Sequence, residues 1–149
     1  MARYTFFSFH YQRDIFRVNQ IRSIPNIIKC SAAGFVDSSI WEKARAKSDE
    51  AIYKLIDDGL SGTSITVVLI GYKTAGRKFI NYEIEQSLKR GNAVIGVRIH
   101  HLIGHEKTAD PAGEIPHKLI ANNCKIYKYT DVYELGTWIE EAVKAKGNY

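Results

Sequence analysis

The stretch Thr63 to Ile99, TSITVVLIGYKTAGRKFINYEIEQSLKRGNAVIGVRI, decides the fold, because it strings a strand, a loop, a helix and a second strand into one contiguous unit. Ile65 to Ile70 is a short, nearly unbroken β-branched run between Gly62 and Gly71, the pattern of a strand covered on both faces. Open parallel sheets place their sites just beyond the carboxyl ends of such strands, so the loop Tyr72 to Lys78 is where a ligand is expected. The helix that follows repeats Ile80, Ile84 and Leu88 at every fourth position and ends at Lys89, Arg90 and Gly91.

Glu83 lies early in that helix, about 60° from the row through Ile80, and borders the buried stripe. Glu85 falls on the solvent side, so the two carboxylates do not form a working pair. Read from the residues alone, Glu83 is either a helix-start acid favoured by the positive end of the helix or a functional carboxylate. That choice stays open at this point.

Outward from this unit, Tyr4 to Phe9 is an aromatic strand ending in the polar cluster His10 to Asp14. The next helix sets Ile15, Val18 and Ile21 on one face, with Pro25 shortly beyond it. Asp14 and Arg17 sit three apart on that helix, either as a surface ion pair or as the residues that order the loop above the first strand. Ile27 to Cys30 and Ala33 to Val36 are short strand candidates. Ser39 and Glu42 have capping-box spacing, and Ser48-Asp49 starts a helix with Ile52, Leu55 and Ile56 at core spacing and Gly59 at its end. Ala93 to Ile99 is an apolar strand, Leu102 to Asn123 a long polar connection without periodicity, and Cys124 to Tyr129 an alternating strand near an edge. Asp131 precedes a helix with Val132, Leu135, Trp138, Ile139, Ala142 and Val143 on one face.

Strands alternating with helices give an α/β, flavodoxin-like parallel sheet of about four or five strands with helices on both faces. The 149 residues read as one domain, residues 1–149, long enough to bury a core without disulfides or metal. Cys30 and Cys124 are far apart and outside any CxxC, which predicts reduced thiols. No run reaches membrane-spanning length and the amino terminus lacks a signal-peptide pattern, so the chain reads as cytoplasmic and off the membrane. The net charge of +5 is spread along the sequence with no basic helix or stacking motif, so no nucleic-acid partner is expected.

Several chemistries fail on the residues. Neither GxGxxG nor GxxxxGK[ST] occurs, so no phosphate-cradling loop of those types is present. A phospho-accepting receiver needs acids after the first strand and an Asp after the central one, where this chain has Phe9-His10 and Gly71-Tyr72. No GxSxG marks a hydrolase elbow. His100 and His101, as neighbours on a strand, are expected on opposite faces, and with His105 they complete no metal site of known spacing.

The run Gly62 to Gly71, then Thr74, Arg77 to Ile84, Ser87 and Gly91-Asn92, resembles the TIR-like domain of the bacterial Thoeris anti-phage ThsB family. Phe7 to Tyr11 with Asp14, Arg17 and Arg22 is similar to that family's first strand and helix, and Gly34 to Asp37 with Ser39 and Trp41 to its second block. The resemblance covers nearly the whole chain and is weakest from Leu102 to Asn123. It implies a TIR fold in which one Glu on the third helix, here Glu83 in Asn-Tyr-Glu-Ile, cleaves NAD at the nicotinamide-ribose bond and a cyclic ADP-ribose isomer is made as a signal. Classical TIR sequences have Trp-Cys ahead of that Glu, where this chain has Phe79-Ile80.

Nicotinamide leaves a cationic ring as a neutral molecule, so a single carboxylate suffices where an ordinary glycoside needs two. The expectation is an ionised Glu83, held anionic by its helix end, bonding the ribose hydroxyls and stabilising oxocarbenium charge. Candidate substrate contacts are Ser8, Phe9, His10 and Tyr11 after the first strand, Asp37 and Trp41 in the second block, and Lys78, Asn81 and Tyr82 on the third helix. Phe9, His10 and Tyr11 would stack on or bond the dinucleotide, Trp41 is either a core ring or the opposite wall, and Lys78 or Arg77 would meet phosphate. NAD is then substrate and no cofactor is expected. Self-association, and an effector reached through a diffusible nucleotide signal, also follow from the resemblance. The competing reading is a non-enzymatic TIR-like interaction module in which Glu83 is only a helix-start acid.

Overall fold

The computed structural model describes residues 3–21, 27–30, 46–104 and 106–147. Among these, five strands form one sheet: β1 (Arg3–Ser8), β2 (Ile27–Cys30), β3 (Ile65–Ile70), β4 (Ala93–Arg98) and β5 (Ile126–Lys128). They run β2-β1-β3-β4-β5 across the sheet and every pairing is parallel, the order expected of a flavodoxin-like fold. The helices are α1 (Tyr11–Asn19), α2 (Asp49–Leu60), α3 (Lys78–Lys89), α4 (His117–Ala121) and α5 (Val132–Ala145).

β3 is buried along its whole length, which is why it carries no alternation. Its Val68 and Ile70 pack against Ile80 and Ile84 of α3 and Leu119 of α4. Ile65, Val67 and Leu69, pointing the other way, share a cluster with Val18 and Ile21 and with Leu135, Ile139 and Val143 of α5. α2 docks on α3 through Tyr53, whose ring lies 5.7 Å from Phe79 and 4.3 Å from Tyr82.

The start signals at Ser48 and Asp131 hold: each side chain accepts a bond from the backbone N–H three residues on, Ala51 and Glu134. α2 runs one residue past Gly59 to Leu60, and it is Gly62, at φ +82°, that takes the left-handed turn. The connection after β4 holds α4, a helix not expected from sequence. The capping box at Ser39, the strand candidate Ala33 to Val36, and Pro25 lie outside the described residues.

β4 ends at Arg98, so His100 and His101 sit in the turn beyond it and not on a strand. Their rings stack edge-on with centroids 5.3 Å apart, and His101 Nε2 lies 2.7 Å from the Tyr129 carbonyl oxygen. The opposite-face expectation therefore does not apply to them.

Candidate active site

Parallel pairing of β1 with β3, in register from Thr5–Ile65 to Ser8–Val68, brings their carboxyl ends together. Two connections leave that edge side by side: Phe9-His10 into α1, and Gly71 to Arg77 into α3. The second is closed by Thr74, whose buried Oγ1 accepts from the Gly71 N–H at 2.8 Å.

α3 then returns over the sheet with Ile80, Glu83, Ile84 and Ser87 on its buried face. Ser87 Oγ donates to the Glu83 carbonyl and meets Thr66 Oγ1, both at 2.6 Å, a polar contact that pins α3 to the middle of β3. Glu83 is only 4% exposed, and its carboxyl faces the Ser8 hydroxyl at the end of β1. Burial pushes the Glu83 pKa up to about 8, and the Ser8 hydroxyl offsets a smaller part of that rise. The two groups stand short of a formed bond, since Ser8 Oγ and Glu83 Oε2 both lack a partner.

This corrects the expected charge state. α3 begins at Lys78 and its first turn carries no acid, so Glu83, the sixth residue, is beyond the reach of the helix end. Desolvation wins, and at neutral pH the free protein holds Glu83 protonated.

His10 stands at the mouth, half-buried between Arg77 and Arg13. Burial first, then those two cations, depress its pKa to about 4, so the imidazole is neutral. Arg77 is exposed at the end of the neighbouring loop. Arg13 lies 5.2 Å and Lys73 4.6 Å from the Tyr72 ring, which makes this rim cationic and aromatic.

The other candidates are placed less uniformly. Phe9 is 7% exposed and belongs to the core cluster, so its ring is a packed one and not an open stacking wall. Lys78 is exposed and paired with Asp49 of α2, across the face of Phe79. Tyr82 turns to α2, its hydroxyl donating to Asp57 at 2.9 Å, and burial with this bond raises its pKa to about 12. It is a helix-to-helix contact. Asn81 is half-buried in the second turn of α3, and Tyr11 opens α1. Asp37 and Trp41 lie outside the described residues.

Asp14 and Arg17 are not a surface pair. Both are buried, 3.0 Å apart, and the segment that Arg17 bonds is the connection after β4, not a loop above the first strand. Asp110, which pairs with Arg17 and Arg13, was not singled out by the sequence, where an acid before Pro111 in a polar stretch carries no periodic signal. Among the described residues no cluster of three or more His, Cys, Asp or Glu is disposed to hold a metal ion. Nor is any helix there long and apolar enough to cross a membrane.

The family model for the TIR-like domain of the Thoeris protein ThsB matches residues 6–103, from β1 through the turn after β4. The chain belongs to this ThsB TIR-like family. Over 102 residues it is 48% identical to the Bacillus cereus (strain MSX-D12) protein named "Putative cyclic ADP-D-ribose synthase ThsB1", covering 67% of this chain and 53% of that one. The chain thus spans about half the length of this relative. The matched ThsB region contains Ser8, His10, Asp14, Gly71, Arg77 and Glu83, the residues that build the site described above.

Proposed function

We propose that this TIR-like domain cleaves NAD at the nicotinamide-ribose bond and closes the product into a cyclic ADP-ribose-type signal that activates a defence effector. The observation that carries the reading is Glu83: a buried carboxyl with an unpartnered Oε2, beside the equally unpartnered Ser8 Oγ, at the carboxyl ends of β1 and β3. Native proteins rarely leave two such groups unmet, and a ribose diol would satisfy both. The relative's name, which specifies a cyclic ADP-D-ribose synthase, supports the same chemistry.

In this reading the nicotinamide ring brings its positive charge next to the Glu83 carboxyl, which favours the anion and releases the proton. The carboxylate accepts hydrogen bonds from the ribose hydroxyls. As the C–N bond breaks, its electron pair leaves with neutral nicotinamide, and Glu83 stabilises the oxocarbenium charge left on the sugar. An internal nucleophile of the ADP-ribose captures that centre to give the cyclic product, and water gives ADP-ribose. Neutral His10 and the Arg77 side of the rim flank the approach to this point.

The test compares nicotinamide release and small-molecule product from wild type and Glu83→Gln, with purified protein and with lysate of phage-infected cells as trigger. The expected result is loss of product by at least about a hundredfold in Glu83→Gln, with a thermal midpoint unchanged at pH 6.5, where the wild-type carboxyl is also protonated. The deep burial of Glu83 is the one feature that favours the interaction-module reading, in which this acid only packs. Product unaffected by Glu83→Gln would decide for the module.

A further inference from the structure

α1 turns two charged side chains inward, and neither has a role in the bond-breaking step. Asp14 has no exposed surface and Arg17 3%. Arg17 spends its guanidinium on several segments at once: Nη1 donates to Asp14 Oδ1 at 3.0 Å and meets Asp110 Oδ2 at 3.2 Å, Nε donates to Leu102 O at 2.8 Å, and Nη2 to Thr108 O at 3.2 Å. Arg13 grips the same Asp110 with both arms, at 2.9 and 3.0 Å. Gly104 lies flat on the guanidinium, where a Cβ would come within 2.8 Å of Nη2.

The second oxygen of Asp14 points the other way. Oδ2 is buried without a partner and abuts Gly71, where a Cβ would overlap it. Gly71 opens the β3–α3 loop, and its own carbonyl, with that of Tyr72, is covered so closely by Gly113 that a Cβ there would collide with both. Asp14 therefore stands between the loop that ends in Arg77 and the connection that follows β4.

A buried ion pair with an unused acceptor is a poor way to stabilise a fold, since apolar residues of the same shape do as well or better. What it does provide is registration of the parts it touches. We propose that Asp14 is a positioning residue: bonded through one oxygen to Arg17 and packed through the other on Gly71, it locks the β3–α3 loop and the connection after β4 into a single rim, so that Arg77 meets the dinucleotide beside His10. The ligand half of this statement rests on the NAD reading. The coupling of the two segments does not.

The experiment uses the full chain with Asp14→Ala, Asp14→Asn and Gly71→Ala, hydrogen exchange on segments 71–77, 102–113 and α5, and titration with ADP-ribose. In Asp14→Ala, at a temperature where the protein stays folded, exchange should quicken about tenfold or more in both rim segments together, and not in α5. ADP-ribose binding should weaken by about tenfold. Asp14→Asn keeps the shape and an acceptor for Arg17, and should bring both readouts to within about threefold of wild type. Should Asp14→Ala fail to fold, Gly71→Ala presses on the same oxygen and is expected to loosen the same two segments. A lowered melting point with segment 71–77 as protected as in wild type would overturn the proposal, leaving Asp14 a packing residue. If the rim loosens as expected but wild type binds no ADP-ribose, the dinucleotide reading fails while the positioning role stands.

Discussion

In the proposed reaction Glu83 would face two opposed requirements at neutral pH: burial keeps its proton on, and stabilising an oxocarbenium would need it off. A carboxylate whose working form is the minor one sets the pH profile of the free protein. With the pKa raised to about 8, the ionised fraction grows with pH, so kcat/KM for NAD should rise about tenfold from pH 6 to 7 and level off above about pH 8. The Ser8 hydroxyl lowers that pKa, so Ser8→Ala should move the plateau to higher pH as well as reduce the rate at pH 7. Initial-rate profiles of the two proteins check both statements, and a flat profile between pH 6 and 9 would remove ionised Glu83 from the reaction. The acid itself was legible as one residue in a matching motif. Its protonation state was not, because that depends on where α3 begins and on how closely Ser8 approaches from another strand.

At the scale of elements, α3 is pinned to the middle of β3 by a polar contact in an apolar interface. Ser87 Oγ bridges the Glu83 carbonyl and Thr66 Oγ1, and all three lie in the buried layer between α3 and β3. Ser87→Ala leaves the Thr66 hydroxyl buried without this partner, which should cost about 1–3 kcal/mol in denaturant unfolding, and Thr66→Val added to it should recover part of the loss. Elements with a strong local pattern were readable: β3 from its β-branched run, α5 from its apolar stripe, α2 and α5 from their capping residues. α4 was not, since five residues are too few to show a period and only Leu119 is buried. Its trace lies in another element. Gly96 interrupts β4 because a Cβ there would sit 2.7 Å from Ile126, 2.9 Å from Ile70 and 3.1 Å from Leu119, a close approach that strand glycines often mark. The Asp14, Arg17 and Asp110 network was half readable, as an i,i+3 pair, but Asp110 is brought in by the connection after β4, over ninety residues along the chain.

For the molecule as a whole, the sheet brings three strongly perturbed titratable groups to one edge. Glu83 at about 8, Asp14 at about 6 and His10 at about 4 all belong to the carboxyl ends of β1 and β3 or the helices they feed. Burial is the first cause in each case, so this edge, which carries the candidate site, is one where the fold gives up stability. The signs differ. His10, depressed, contributes stability that is complete above its ordinary value near 6.5 and is lost as pH falls toward 4. Asp14 and Glu83, raised, contribute stability that is complete below their ordinary carboxylate values and is lost as pH rises through about 6 and about 8. Above pH 6.5, then, Glu83 accounts for most of the remaining titration among the three. Unfolding free energy should fall by about 2 kcal/mol between pH 6.5 and 8.5 on its account, lowering the thermal midpoint by roughly 4–8 °C. Glu83→Gln fills the same space with no proton to lose. Its midpoint should change less over that interval, so the gap between variant and wild type should widen steadily with pH. Melting curves of both proteins at pH 6.5, 7.5 and 8.5 measure that gap. A constant gap would mean that Glu83 is already ionised in the folded chain, and the site would then have to hold a charge without solvent or partner to support it.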